Sequence, residues 1–119
     1  MRTQTKIKLE IYNCDVIVIV TDTLLKEAHK IYKKYNIVDK IEGECEGLAI
    51  MCDLDKYFII LNNNSLSHNT IAHEVYHIVG SITRDREIKE EEATAWLAGH
   101  LTGVIYKFLE RKKLKVKHG

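Results

Sequence analysis

The chain of 119 residues contains no proline, so nothing of that kind interrupts a helical segment or a strand ladder. Cysteine is scarce: Cys14, Cys45 and Cys52, an odd number with no C-x-x-C spacing. That argues against a disulfide framework or a cysteine zinc site and leaves the three as small residues in or near strands. Neither sign of charge is in excess, with 18 basic against 17 acidic residues and a net charge of +1. Composition therefore gives no electrostatic footprint for nucleic acid. The longest apolar run, Val16 to Val20, is far too short to span a membrane. Met1 to Lys6 lack the hydrophobic segment and small-residue cleavage site of a secretory signal, so the expectation is a cytoplasmic protein. Repeats and low-complexity tracts are absent as well.

What is present belongs to a soluble globular protein, with 45% hydrophobic and 29% charged residues. The length suits one domain, 1–119, with room for a core that needs no cross-links. Lys6 to Ile11 alternate as a half-buried strand, Asn13 to Asp15 read as a turn, and Val16 to Val20 read as a more buried strand. No glycine fixes the turn type of this hairpin. Thr21-Asp22-Thr23 can cap a helix that carries Leu24, Ala28, Ile31 and Tyr35 at helical spacing and ends near Asn36. His29 within it reads as a surface residue. The acidic stretch Glu42 to Gly47 is a loop whose spacing matches no calcium loop. Leu48 to Cys52 and Tyr57 to Leu61 form a second hairpin around the turn Asp53 to Lys56. The expected fold class is α+β, with three main helices and a small, mostly antiparallel sheet of four strands.

The second hairpin leads to His73-Glu74-Val75-Tyr76-His77, an H-E-x-x-H sequence. Ile71, Val75, Ile78, Val79 and Ile82 recur at helical spacing around it, and Ser67 or Asn69 can cap that helix. Residues four apart lie one above the other on a helix. Two imidazoles so placed can hold one metal ion, with the glutamate beside a bound water. Gly80, one turn beyond His77, leaves space near such a metal. A last helix starts near Ile88 and carries Ala93, Leu97, Leu101, Val104 and Phe108 on one face, widened by Trp96 and Ile105. Its basic end, Arg111 to Lys117, complements the helix dipole.

Catalytic zinc takes three protein ligands and leaves one position for water. Past His77 the candidates for the third are Glu87, Glu90, Glu91, Glu92 and His100. Periodicity slightly favours Glu90, which shares the face of Ala93, Leu97 and Leu101. H-E-x-x-H followed by Glu92-Ala93-Thr94-Ala95-Trp96-Leu97-Ala98-Gly99 resembles the two-helix signature of gluzincin metallopeptidases, and is similar to ImmA/IrrE-like peptidases and small phage-encoded relatives. The resemblance covers about His73 to Leu101. It implies a minimal zincin-like fold and a Zn²⁺ cofactor. It makes His73, His77 and Glu92 the ligands and Glu74 the general base. An alternative alignment selects Glu90, and Glu91 stands between them. Where thermolysin-like enzymes place an aspartate to orient a zinc histidine, this chain has Trp96.

The activity so implied is hydrolysis of a peptide or protein substrate, with His100, Tyr76 or Tyr106 available to stabilise the oxyanion. Tyr57 to Leu61, directly before the metal helix, is expected to offer a sheet edge to substrate backbone. The alternative is a zinc-stabilised binding or regulatory module with a peptidase-like site and little activity. A third reading, a nucleic-acid accessory protein using the basic tail, has the near-neutral charge against it.

Overall fold

The computed structural model describes residues 1–39, 41, 45–53 and 55–119. Its first hairpin is longer than the alternating pattern suggests. Strand β1 spans Arg2–Leu9 and β2 spans Cys14–Thr21, antiparallel, with Ile7 opposite Val16. The turn comes earlier than expected, because Glu10–Tyr12 form a 3-10 turn and Asn13 takes a left-handed conformation at φ 52°. Asparagine tolerates that region, so the hairpin closes without a glycine.

Strands β3 (Gly47–Asp53) and β4 (Lys56–Asn62) form the second antiparallel hairpin. The acidic loop expected before it falls partly on Glu42, Gly43 and Glu44, which lie outside the described residues, as does Leu54 of its turn. The two hairpins join through a parallel β2–β4 pairing, with Ile19 opposite Ile60, giving the order β1-β2-β4-β3.

Both faces of this mixed sheet are covered. Val16, Val18, Val20, Tyr57, Ile59 and Leu61 face helices α2 (His68–Asp85) and α3 (Glu91–Arg111). Ile19, Ile50, Phe58 and Ile60 face α1 (Leu24–Lys34) through Leu24, Ala28 and Ile31. A strand buried on two sides needs apolar residues at every position, which accounts for the unbroken Val16 to Val20.

Helix α2 starts where the Ser67 side chain accepts from the Thr70 N–H at 3.1 Å, a serine N-cap. All five residues of its expected apolar stripe are buried. The helix runs on through Thr83–Asp85, which the sequence suggested were loop, and stops at Glu87 in a left-handed conformation. Its end is tied to the sheet by Tyr57, which is 0% exposed. The Tyr57 hydroxyl donates to Asp85 at 2.7 Å and accepts from Arg86 at 2.9 Å. Burial, followed by the Asp85 bond, pushes that phenol up to about 12.

Helix α3 begins at Glu91 and not near Ile88, because the Ile88 N–H bonds back to the Thr83 carbonyl and closes α2. Its buried stripe is Leu97, Leu101, Ile105, Phe108 and Leu109. Trp96 is outside that stripe, 54% exposed and stacked on His100 at 4.9 Å between ring centroids. The basic end does more than cap α3. The chain returns to the start of α2, where Lys117 pairs with Ser67 and its carbonyl accepts from the His68 N–H at 3.0 Å. Among the described residues no helix is long and apolar enough to cross a membrane.

Candidate metal centre

Successive turns of α2 bring His73 and His77 together, their Nε2 atoms 3.1 Å apart and their rings edge to face. Two nitrogens on one tetrahedral zinc, each at about 2.0–2.1 Å, stand ~3.3 Å from one another. The pair is thus at chelating separation. A ligand atom from each of His73, Glu74 and His77 falls within 4.8 Å of the other two, so the two imidazoles could hold a zinc-type ion with the Glu74 carboxylate close beside it.

The three differ in environment. Both imidazoles are exposed, whereas Glu74 is buried. Burial raises the Glu74 carboxyl above its ordinary range, against the opposing pull of His73 and His77. Its cover is Gly47, the first residue of β3, a position that sequence reasoning passed over. A Cβ at Gly47 would stand 2.8 Å from Thr70 Cγ2, 3.0 Å from Glu74 Cγ and 3.2 Å from Glu74 Oε2. Only a glycine lets the strand approach α2 this closely. Gly47→Ala is expected to cost roughly 1–3 kcal/mol, as overpacking does. An unchanged denaturation midpoint for that variant would contradict the close approach.

The His pair lies between two concavities of different character. On the Glu74 side is a polar recess of about 270 Å³, which includes Glu46, Asn69, Thr70 and His73. Glu46 is held there by the Thr70 hydroxyl, which donates to its carboxylate at 2.9 Å. On the His77 side a cleft of about 700 Å³ runs between α2 and α3, bordered by Met51, Val75, Val79, Gly80 and Ala98.

Helix α3 presents Glu91, Thr94, Ala95, Ala98 and Thr102 to this cleft, spacings of three, four and seven that mark one helical face. Glu92 lies about 100° around the helix from Glu91; both are exposed, and neither is in the group formed by His73, Glu74 and His77. Glu90 is the N-cap residue of α3, and Glu87 is exposed in the left-handed turn after α2. The carboxylate that shares a surface with His77 is therefore Glu91.

Of the suggested oxyanion donors, Tyr76 is 76% exposed, has its ring beside that of His77 and borders the cleft. The Tyr106 hydroxyl is bonded to His68 at the start of α2, and His100 is stacked on Trp96. His29 is exposed on α1. The three cysteines are free; burial pushes the Cys52 thiol up to about 11 and raises that of Cys14. Tyr57 to Leu61 cannot offer an edge to a substrate, because β4 is paired on both sides, with β2 and with β3. The edge nearest the site is β3, whose Gly47 touches Glu74.

Comparison of the chain with protein-family models, with curated proteins and with solved structures finds no significant match.

Proposed function

We propose that this protein is a small zinc-dependent peptidase of gluzincin-like design, acting in the cytoplasm. One observation carries the reading: two imidazoles at chelating separation with a buried carboxylate between them in sequence and beside them in space. His73 and His77 would hold the metal together with a carboxylate from the first turn of α3. The resemblance to gluzincins nominates Glu92 for that place, and the face that α3 turns toward the cleft nominates Glu91.

Bound zinc supplies Lewis acidity, polarising a carbonyl and lowering the pKa of a water towards about 7. Glu74 is the proton acceptor for that water and returns the proton to the leaving amine. Its raised affinity for a proton, caused by burial, suits a group that must take one up and hand it on. Tyr76 is the side chain best placed to donate to the developing oxyanion. The outer edge of β3, unpaired among the described strands, can hold the substrate backbone in extended form by strand addition.

A second reading, a zinc-stabilised binding module, draws on the exposure of both imidazoles on an open surface. Incubating the zinc-loaded protein with a defined peptide pool, with and without chelator, separates the two. The peptidase reading expects chelator-sensitive cleavage products by mass spectrometry. Zinc bound in equimolar amount with no product from the pool favours the module.

A further inference from the structure

Helix α3 turns its buried stripe inward, and its residues Thr94 and Ala98 border the cleft. On the side turned away from both, Glu92, Trp96, Gly99, Gly103 and Lys107 are exposed. At about 100° per residue these five fall within about 80° of one another, so they form one continuous face. Nothing inside the chain accounts for its composition. Trp96, the chain's one tryptophan, is 54% exposed, with its ring stacked on His100. Glu92 and Lys107 make no ion pair among the described residues. Gly99 and Gly103 lie in the helix interior, where each costs about 1 kcal/mol against alanine. Neither has a positive φ, and a Cβ on either would meet nothing within 4 Å.

Size and charge on this face repeat about one point. Trp96 and Gly103 lie equally far, about 5 Å along the axis, on either side of the midpoint between Gly99 and His100. Glu92 and Lys107 lie equally far from the same point, at about 11 Å. A copy of the helix turned half a revolution about an axis through that point, perpendicular to the helix, lays Trp96 of each copy against Gly103 of the other. It also lays Glu92 of each copy against Lys107 of the other. A large ring then meets a residue with no side chain, and a carboxylate meets an ammonium group. Two helices laid in the same direction would instead set Glu92 against Glu92 and Lys107 against Lys107.

We propose that two copies of this chain associate through this face, antiparallel about a two-fold axis at α3, with Trp96 of each anchored over Gly103 of the other. Such an interface uses one patch twice, so each contact occurs in duplicate. Glycine at the contact lets the two helix axes reach the short end of the ~8–10 Å range for packed helices. Antiparallel alignment sets opposite ends of the helix dipoles together. A tryptophan is also among the side chains that most often anchor an interface. The cleft between α2 and α3 stays open, since Thr94 and Ala98 lie on another side of the helix.

Sedimentation velocity on the full chain, zinc-loaded and again metal-free, is expected to show a monomer–dimer equilibrium with a dissociation constant in the micromolar range. The metal-free runs keep any part of Glu92 in zinc binding separate. As the only tryptophan, Trp96 reports the contact directly, and its emission should move to longer wavelength as dilution parts the dimer. Trp96→Ala and Gly103→Leu should each weaken association roughly tenfold or more. The space at Gly103 is open within the chain, so Gly103→Leu should keep its fold, which circular dichroism checks. Charge reversal tests the orientation. Glu92→Lys and Lys107→Glu should each weaken association, and an equimolar mixture of the two should associate more tightly than either alone, because every contact is then between opposite charges. A chain that stays monomeric at ~1 mM overturns the proposal. A dimer that survives both Trp96→Ala and Gly103→Leu places the contact elsewhere and overturns it as well. A mixture of the charge variants no tighter than its components overturns the antiparallel arrangement.

Discussion

Glu74→Gln should lower the rate of peptide cleavage by roughly 10²–10⁴, the usual contribution of a positioned general base, while zinc remains bound. The amide matches the carboxylate in size, so the contact with Gly47 survives, but it cannot accept the proton. Turnover that persists in this variant contradicts the role given to Glu74, and loss of zinc along with activity makes it a ligand instead. The same substitution has a signature without metal. Burial raises the folded-state pKa of Glu74, so the folded chain favours the protonated form. The stability this contributes is fully present below the ordinary carboxyl range and is lost as pH rises through the raised value. Metal-free Glu74→Gln should therefore lack that loss, and should gain on wild type when melting temperatures at pH 4 and pH 8 are compared. Parallel curves for the two proteins would mean that the carboxyl is not desolvated.

Zinc itself should stabilise the fold strongly. A ligand present at a thousand times its Kd adds about 4 kcal/mol, on the order of 10–15 °C in melting temperature for a chain of this size. His73→Ala and His77→Ala should each remove the shift, because one imidazole alone does not chelate. The acidic run at the start of α3 is resolved by the same measurement. Glu91 shares the cleft surface with His77 and Glu92 does not, so the larger loss of zinc affinity is expected for Glu91→Ala. A larger loss for Glu92→Ala would instead mean that the first turn of α3 rotates when metal binds. Equal, negligible losses would remove the third ligand from this helix altogether.

Much of this molecule could be read from residue pattern, and the misreadings have identifiable causes. The stripe of α2, its serine cap and the H-E-x-x-H geometry all depend on local spacing, and the structure carries them as expected. The two hairpins were legible for the same reason. Boundaries slipped where no apolar residue marks the period, as in Arg2 to Thr5 at the start of β1. The closing of α2 depends on a left-handed glutamate that no composition rule flags. The parallel β2–β4 pairing is long-range, and without it β4 looks like a free edge. The face of α3 also needed the structure. Trp96 is apolar enough to suggest burial, yet the stripe through Leu97 and Leu101 leaves it outside, and that rotation moves attention from Glu92 to Glu91. Gly47 left only the faint signal of a glycine opening a strand.

The two outer strands of the sheet are defended unequally. β1 carries Arg2, Lys6 and Lys8, charges that discourage another chain from adding to an edge. β3 carries one charge, Asp53 at its far end. Met51, at 45% exposure, is the large side chain on β3 most open to water, and therefore the natural place for a gatekeeping lysine. It also borders the cleft between α2 and α3. A lysine there would protect the chain from self-association and aggregation only by putting a cation into the apolar surface beside His77, so the strand proposed to receive a substrate is also, among the described residues, the sheet edge with the least charge along it.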